Sequence, residues 1–79
     1  MPTILIKSGF RFIINTDDHE PMHVHAIHEG RSVLIEFESE IRVTRNRGVS
    51  ERNISRMIRI VEANQSHFQE RWIEIYESR

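Results

Sequence analysis

The feature that most constrains the fold is a change in hydrophobic period at Gly48. Before this residue, apolar and polar residues alternate, which is typical of strands that bury one face. After it, apolar residues recur at intervals of three and four, which is typical of helices that bury one stripe. We therefore predict an α+β fold, with a mostly antiparallel sheet of four or five strands covered on one face by two C-terminal helices.

The alternating part begins with a predicted hairpin. Residues 3–7 and 10–16 have strand patterns, and Ser8-Gly9 between them suits a tight turn because glycine readily takes a positive φ. The apolar residues that share a face of the second strand are Phe10, Phe12 and Ile14.

A second hairpin is predicted from residues 22–28 and 31–38, around Glu29-Gly30. A two-residue turn there fixes the register, and a slip by one residue would mix the apolar and polar faces. The expected opposed pairs are Val24 with Ile35, Ala26 with Val33, and His23 with Glu36. Residues 41–45 are predicted to form a short fifth strand.

The helical part contains signals for two helices. Ser50 is predicted to cap the first helix, and Asn64 to end it. Ser66 with Gln69 three residues later resembles a capping box, so we predict that the second helix begins there. The stripes expected to face the core are Ile54, Met57, Ile58 and Val61 in the first helix, and Phe68, Trp72, Ile75 and Tyr76 in the second.

Length and composition exclude several classes of protein. The chain has 79 residues, no cysteine and a net charge of -1. The length suits one domain over residues 1–79. Without cysteine there is no disulfide scaffold, thiol nucleophile or Cys-ligated metal site. No apolar run approaches the roughly 20 residues that span a bilayer, and the start of the chain lacks the basic lead of a signal peptide. We expect a cytoplasmic protein with no membrane association.

The charges are unevenly distributed along the chain. Between residues 42 and 59 there are six arginines and one glutamate. The arginines that we predict to bind phosphate or a partner are Arg45, Arg47, Arg52 and Arg56. Pairing of these arginines with nearby glutamates is the alternative.

The histidines form the main candidate site. In a strand, His23 and His25 project from the same face with their Cα atoms about 7 Å apart. A loop can bring His19 towards them, and Glu36 lies opposite His23 in the predicted register. Imidazoles with one carboxylate are an ordinary ligand set for zinc or another divalent transition metal. The candidate metal ligands are therefore His19, His23, His25 and Glu36, of which two or three imidazoles and the carboxylate would bind the ion, and a fourth position could hold water or substrate.

Two other interpretations of the histidines remain open. Without a metal, His23 and His25 are candidate catalytic residues, as general base and general acid on RNA whose phosphate Arg45 and Arg47 would hold. Alternatively, the histidines fill the solvent side of the sheet and His19 orients the loop by hydrogen bonds.

Several segments resemble a small bacterial family catalogued as domain of unknown function four-one-six-zero. The residues from Asp18 to His25, Asp-His-Glu-Pro-Met-His-Val-His, are similar to its signature Asp-His-x-Pro-Pro-His-Val-His, with Met22 where the family usually has a second proline. Gly9-Phe10-Arg11-Phe12 and Arg45-Asn46-Arg47-Gly48 also resemble its segments. The resemblance implies a fold and a histidine site without a demonstrated activity; the signature residues that carry over are His19, Pro21, His23 and His25.

Members of that family are often encoded beside another small protein. The resemblance therefore implies a component of a toxin–antitoxin-like locus, with a cognate small protein as partner. Two functions remain open at this point. One is a histidine site that binds a metal, and the other is a non-catalytic module that binds a partner protein or RNA through an arginine-rich face.

Overall fold

The alternating half of the chain forms a five-stranded antiparallel sheet in which strands adjacent in the chain are adjacent in space. In the computed structural model, which describes residues 3–78, the strands are β1 Thr3–Lys7, β2 Phe10–Ile13, β3 His23–His28, β4 Arg31–Glu36 and β5 Arg42–Arg47. The helices are α1 Glu51–Ala63 and α2 Gln65–Glu77. The predicted α+β class is confirmed. The extent of one domain, residues 1–79, stays a prediction, since residues 1, 2 and 79 lie outside the described part.

Both predicted hairpins turn through two residues with positive φ. Ser8 and Gly9 have φ angles of 55° and 80°, and Glu29 and Gly30 have 50° and 77°. Positive φ at both turn positions gives the type I′ geometry, which matches the twist of the strands. The predicted register is confirmed: Val24 pairs with Ile35, Ala26 with Val33, and His23 with Glu36.

The strand ends differ from the predicted ones. β2 ends at Ile13, before the predicted residue 16, because Asp18 N–H donates to Asn15 O at 3.1 Å and turns the chain out of the ladder. β3 and β4 are shorter than predicted by one and two residues, and β5 runs over Arg42–Arg47 instead of 41–45.

One face of the sheet forms the core against both helices. The ring of Phe68 in α2 lies 5.6 Å from the rings of Phe12 and Phe37, measured between centroids. Burial of large apolar side chains is the main stabilising contribution in a domain of this size. Core residues that are less than 2% exposed include Phe10, Phe12, Ile14, Val24, Ala26, Val33, Ile35, Phe37, Met57, Val61 and Phe68.

The first helix begins and ends as predicted. Ser50 Oγ accepts a hydrogen bond from Asn53 N–H at 3.2 Å, and Asn64 caps the C-terminus. No helix among residues 3–78 is long and apolar enough to cross a membrane.

The predicted capping box of the second helix is wrong. α2 begins at Gln65, so Ser66 lies inside the helix, and the Asn64 side chain forms no cap. Gln69 is occupied elsewhere, because its Nε2 donates to the carbonyl oxygen of Glu38 at 3.0 Å. Gln65 Nε2 likewise donates to Phe37 O at 2.8 Å. These two side-chain amides hydrogen-bond the start of α2 to the backbone of the segment that follows β4.

Tyr76 was predicted to face the core and does not. It is 46% exposed, whereas Phe68, Trp72 and Ile75 are buried. Tyr76 is one position past Ile75, which rotates it to the margin of the stripe near the end of the helix. The other predicted core aromatics are buried as expected.

Candidate metal centre

A short turn after β2 holds the carboxylate of Asp18 in place. Asp18 N–H donates to Asn15 O at 3.1 Å, and Asn15 N–H donates to Asp18 Oδ2 at 3.0 Å. Asn and Asp stabilise turns by such bonds between side chain and backbone. Ile13, the last residue of β2, pairs with His25, so the turn begins beside that histidine.

Three side chains converge at this turn. Asp18 Oδ2 lies 3.4 Å from His23 Nε2 and 3.2 Å from His25 Nε2. One ligand atom from each of the three residues lies within 4.8 Å of the other two. The two histidines alternate with buried Val24 along β3, so both side chains leave the strand on the side opposite to that of Val24, and both are half-buried.

These distances match those between neighbouring ligand atoms around a bound metal ion. Zinc bonds of about 2.0–2.1 Å at tetrahedral angles place neighbouring ligand atoms about 3.3 Å apart. The two distances to Asp18 Oδ2, 3.4 and 3.2 Å, lie on either side of this value. Two imidazoles and one carboxylate are also a chemically suitable donor set for zinc and other divalent transition metals. The group could therefore hold a metal ion.

The hydrogen bond of His23 selects its tautomer. His23 Nδ1 lies 2.9 Å from Pro21 O, and a carbonyl oxygen can only accept, so Nδ1 carries the proton and donates. In the neutral ring, Nε2 then presents a lone pair towards Asp18 Oδ2, which is also an acceptor. Two facing acceptors need a cation between them, either a proton or a metal ion. Donation from the other ring nitrogen to a backbone carbonyl is the usual arrangement of metal-ligating histidine.

His25 is in a similar position. Its Nε2 lies 3.0 Å from Asn15 Nδ2, which donates, and 3.2 Å from Asp18 Oδ2. If Nε2 accepts from the amide, its lone pair also lies beside the carboxylate. Among the described residues, Asn15 Oδ1 is buried and has no hydrogen-bond partner. A polar oxygen thus lies next to the converging ligand atoms without a donor of its own.

The centre is partly open to solvent. The exposed fractions of the Asp18, His23 and His25 side chains are 15%, 19% and 28%. One wall is aromatic, since the His23 ring lies 5.4 Å from the ring of Trp72 in α2. The centre therefore combines a fixed set of ligand atoms with access for a small ligand.

Comparison with known proteins places the chain in a family. The model described as Domain of unknown function (DUF4160) matches residues 9–73, which include the whole candidate centre. The chain belongs to this family. No curated protein and no solved structure matches it.

The structure of this DUF4160 protein brings together some of the predicted ligands and not others. His23 and His25 meet, but their carboxylate neighbour is Asp18, which was absent from the predicted ligand set. His19 is exposed and lies outside this group. Glu36 does lie opposite His23, yet its carboxylate accepts from Arg42 Nε at 3.0 Å.

The predicted arginines of the DUF4160 protein lie in two places. Arg45 and Arg47 line a groove together with His25. Arg56, in α1, places its guanidinium 5.4 Å from the centre of the Phe10 ring. Arg52 is exposed on the same helix. Sequence periodicity could not reveal this separation, because it depends on how α1 crosses the sheet.

Proposed function

We propose that this DUF4160 protein binds a divalent transition metal, zinc in the first place, through Asp18 Oδ2, His23 Nε2 and His25 Nε2. The observation that carries the proposal is the convergence of these three atoms, with His23 fixed in the tautomer that ligation requires. With three protein ligands, a tetrahedral ion keeps a position for water or substrate. Such a centre serves hydrolysis, because the metal makes its bound water a nucleophile near neutral pH.

Isothermal titration calorimetry with zinc tests the proposal on the tag-free chain. We expect one site per chain. Asp18→Asn, His23→Gln and His25→Gln should each weaken binding more than about 100-fold, because even changes outside the ligand shell cost 10–100-fold. The matched controls are His19→Gln and Glu36→Gln, which remove predicted ligands that lie outside the converging group and should change the affinity by less than about threefold.

Other outcomes of the titration have definite meanings. If His19→Gln weakens zinc binding as much as His23→Gln does, the proposed ligand set of Asp18, His23 and His25 is contradicted. Absence of saturable zinc, manganese and nickel binding by the wild type would overturn the proposal. A proton shared between Asp18 and His23 would then account for the geometry.

Acid–base catalysis without a metal uses the same histidines and is less well supported. His23 Nε2 and His25 Nε2 both point towards one oxygen of Asp18. A general acid and a general base must instead reach two different atoms of a substrate. The shared oxygen suits one shared cation better than a substrate placed between the two rings.

We further propose that the centre acts within a toxin–antitoxin-like pair, as the family resemblance implies. In that case the wild-type protein should slow growth when it is expressed without its cognate partner. His23→Gln should relieve this effect while the partner still binds in a pull-down. Equal growth with and without wild-type expression would oppose this part of the proposal.

A second candidate function is partner binding through the arginines of α1. Arg52 and Arg56 are exposed, and among residues 3–78 no ion pair within 4.0 Å involves either of them. Exposed cations of this kind suit an acidic protein surface. Arg52→Gln with Arg56→Gln should then abolish partner binding and leave zinc affinity unchanged. Unaltered partner binding would reject this candidate.

A further inference from the structure

A groove lies directly beside the candidate metal centre on the side of the sheet away from the core. It has a volume of about 200 Å³. His25 belongs both to this groove and to the metal-ligating group. The residues that line it are His25, Ser32, Val33, Leu34, Arg45 and Arg47.

A bulge in β5 explains why two arginines reach this face. Arg42 pairs with Glu36, whose neighbour across β3 is His23, so Arg42 is on the histidine side of the sheet. In a regular strand Arg45 and Arg47 would then be on the opposite face, because they differ from Arg42 by an odd number of residues.

The register shifts at this point of the strand pair. Ile35 pairs with Val43 but Leu34 pairs with Arg45, which leaves Thr44 as the extra residue. The bulge therefore reverses the alternation, and Arg45 and Arg47 join Arg42 on the histidine side. Bulges often redirect side chains next to functional sites.

The pairing pattern also brings the positive charge close to the centre. His25 pairs with Leu34, and Leu34 pairs with Arg45, so these residues form one row across three strands. At about 4.8 Å between neighbouring strands, the arginine backbone is about 10 Å from that of His25. Side chains from both ends of the row can contact one small anion over the half-buried Leu34.

The charge in the groove is available for a ligand. Arg42 is paired, with its Nε 3.0 Å from Glu36 Oε1. For Arg45 and Arg47, no carboxylate of residues 3–78 lies within 4.0 Å. The Ser32 hydroxyl adds a neutral donor to the same groove. Guanidinium groups match the oxygens of phosphate in pairs, and a divalent metal at the groove end adds further positive charge.

We propose that this groove binds the phosphate group of a phosphate ester, with Arg45 and Arg47 as its anchors. This inference rests on the proposed metal-binding function and specifies its substrate class. The ester phosphate would be held at the open side of the metal centre, next to His25. Both a nucleoside monophosphate and a phosphodiester of single-stranded RNA offer this chemistry.

The test is an NMR titration of the full chain with one equivalent of zinc and, separately, with none. The probes are a nucleoside monophosphate and a short single-stranded RNA, and the signals followed are the Nε–Hε groups of the arginines. We expect saturable shifts at Arg45 and Arg47. Arg45→Gln with Arg47→Gln should weaken binding of the probe at least about tenfold, given the strength of charged hydrogen bonds. Zinc affinity should stay within about threefold of the wild type.

The matched control is Arg52→Gln with Arg56→Gln, which removes the same charge from α1. If both double variants weaken probe binding equally, the probe is attracted by the overall positive charge of the protein, and the proposal that the groove binds phosphate is overturned. Normal zinc binding with unmoved Arg45 and Arg47 signals would also overturn it, while leaving the metal proposal intact.

The two probes and the zinc-free arm separate the remaining cases. Saturation by the monophosphate at Arg45 and Arg47 supports a small ester, whereas tighter binding of RNA at the same signals supports a phosphodiester of the nucleic acid. The protein could also bind phosphate at these arginines and bind no metal. This result would support the groove as an anion site, but it would reject the proposed metal function and with it the role of the groove as a substrate site.

Discussion

Asp18 is the residue on which the candidate centre depends. Its Oδ2 faces both histidine Nε2 atoms and accepts from Asn15 N–H. Removal of the carboxylate charge would leave two imidazoles without their shared anion, while the turn could survive because Asp18 N–H still donates to Asn15 O. For this reason Asp18→Asn separates loss of the ligand from loss of the loop.

A substitution at Asn15 provides a second test of the metal centre. Its side-chain nitrogen contacts His25 Nε2, and its Oδ1 is buried without a partner among the described residues. Asn15→Asp would place a second carboxylate beside the centre with little change in shape. We expect zinc to bind at least about tenfold more tightly, because an oxygen ligand is added.

The metal-free Asn15→Asp protein should be less stable than the wild type, because two carboxylates then lie close together. Thr16→Asp is the control, since it adds the same charge at an exposed neighbouring position. Calorimetry and urea unfolding measure the two effects. Equal zinc affinity in the two variants would show that position 15 does not face the metal.

At the scale of elements, the hairpins could be predicted and the loop could not. Two-residue turns leave no freedom in register, so the pairing of His23 with Glu36 followed directly from the sequence. The path of residues 14–22 depends on individual hydrogen bonds, which hydrophobic periodicity does not specify. Asp18 was therefore omitted from the ligand set, although its spacing of three from Asn15 is a usual turn signal.

The start of α2 shows the same limit and gives a prediction. Gln65 Nε2 donates to the carbonyl oxygens of Phe37 and Ser39 at 2.8 and 2.9 Å. Gln65→Ala should lower the free energy of unfolding by about 1 kcal/mol, the usual net value of such hydrogen bonds. Ser66→Ala should change it by less than about 0.5 kcal/mol, because Ser66 is no cap. Urea denaturation measures both changes in the free energy of unfolding. A larger decrease in Ser66→Ala than in Gln65→Ala would mean that Ser66 does cap the helix.

For the whole molecule, metal binding should stabilise the fold. The ligands belong to the loop after β2 and to β3, so the folded chain, which holds them in place, should bind the ion more tightly than the unfolded chain does. Zinc at 100 times its dissociation constant should add up to about 2.7 kcal/mol, the value reached when the unfolded chain binds no zinc. For a domain of this size that corresponds to a rise in Tm of about 10–20 °C.

Differential scanning fluorimetry with zinc and with EDTA measures this change in Tm. Asp18→Asn should lose most of the shift, and Glu36→Gln should keep it. An equal shift in wild type and Asp18→Asn would place the zinc elsewhere on the chain.

The most direct test of the metal centre is the ¹⁵N NMR spectrum of the histidine rings during a zinc titration. We predict that one equivalent of zinc shifts the Nε2 signals of His23 and His25 in a saturable way. The Nδ1–H of His23 should persist, because it donates to Pro21 O. The rings of His19, His28 and His67 should not move. Unchanged Nε2 signals at His23 and His25, or a His19 signal that moves with the same midpoint, would contradict the proposed centre.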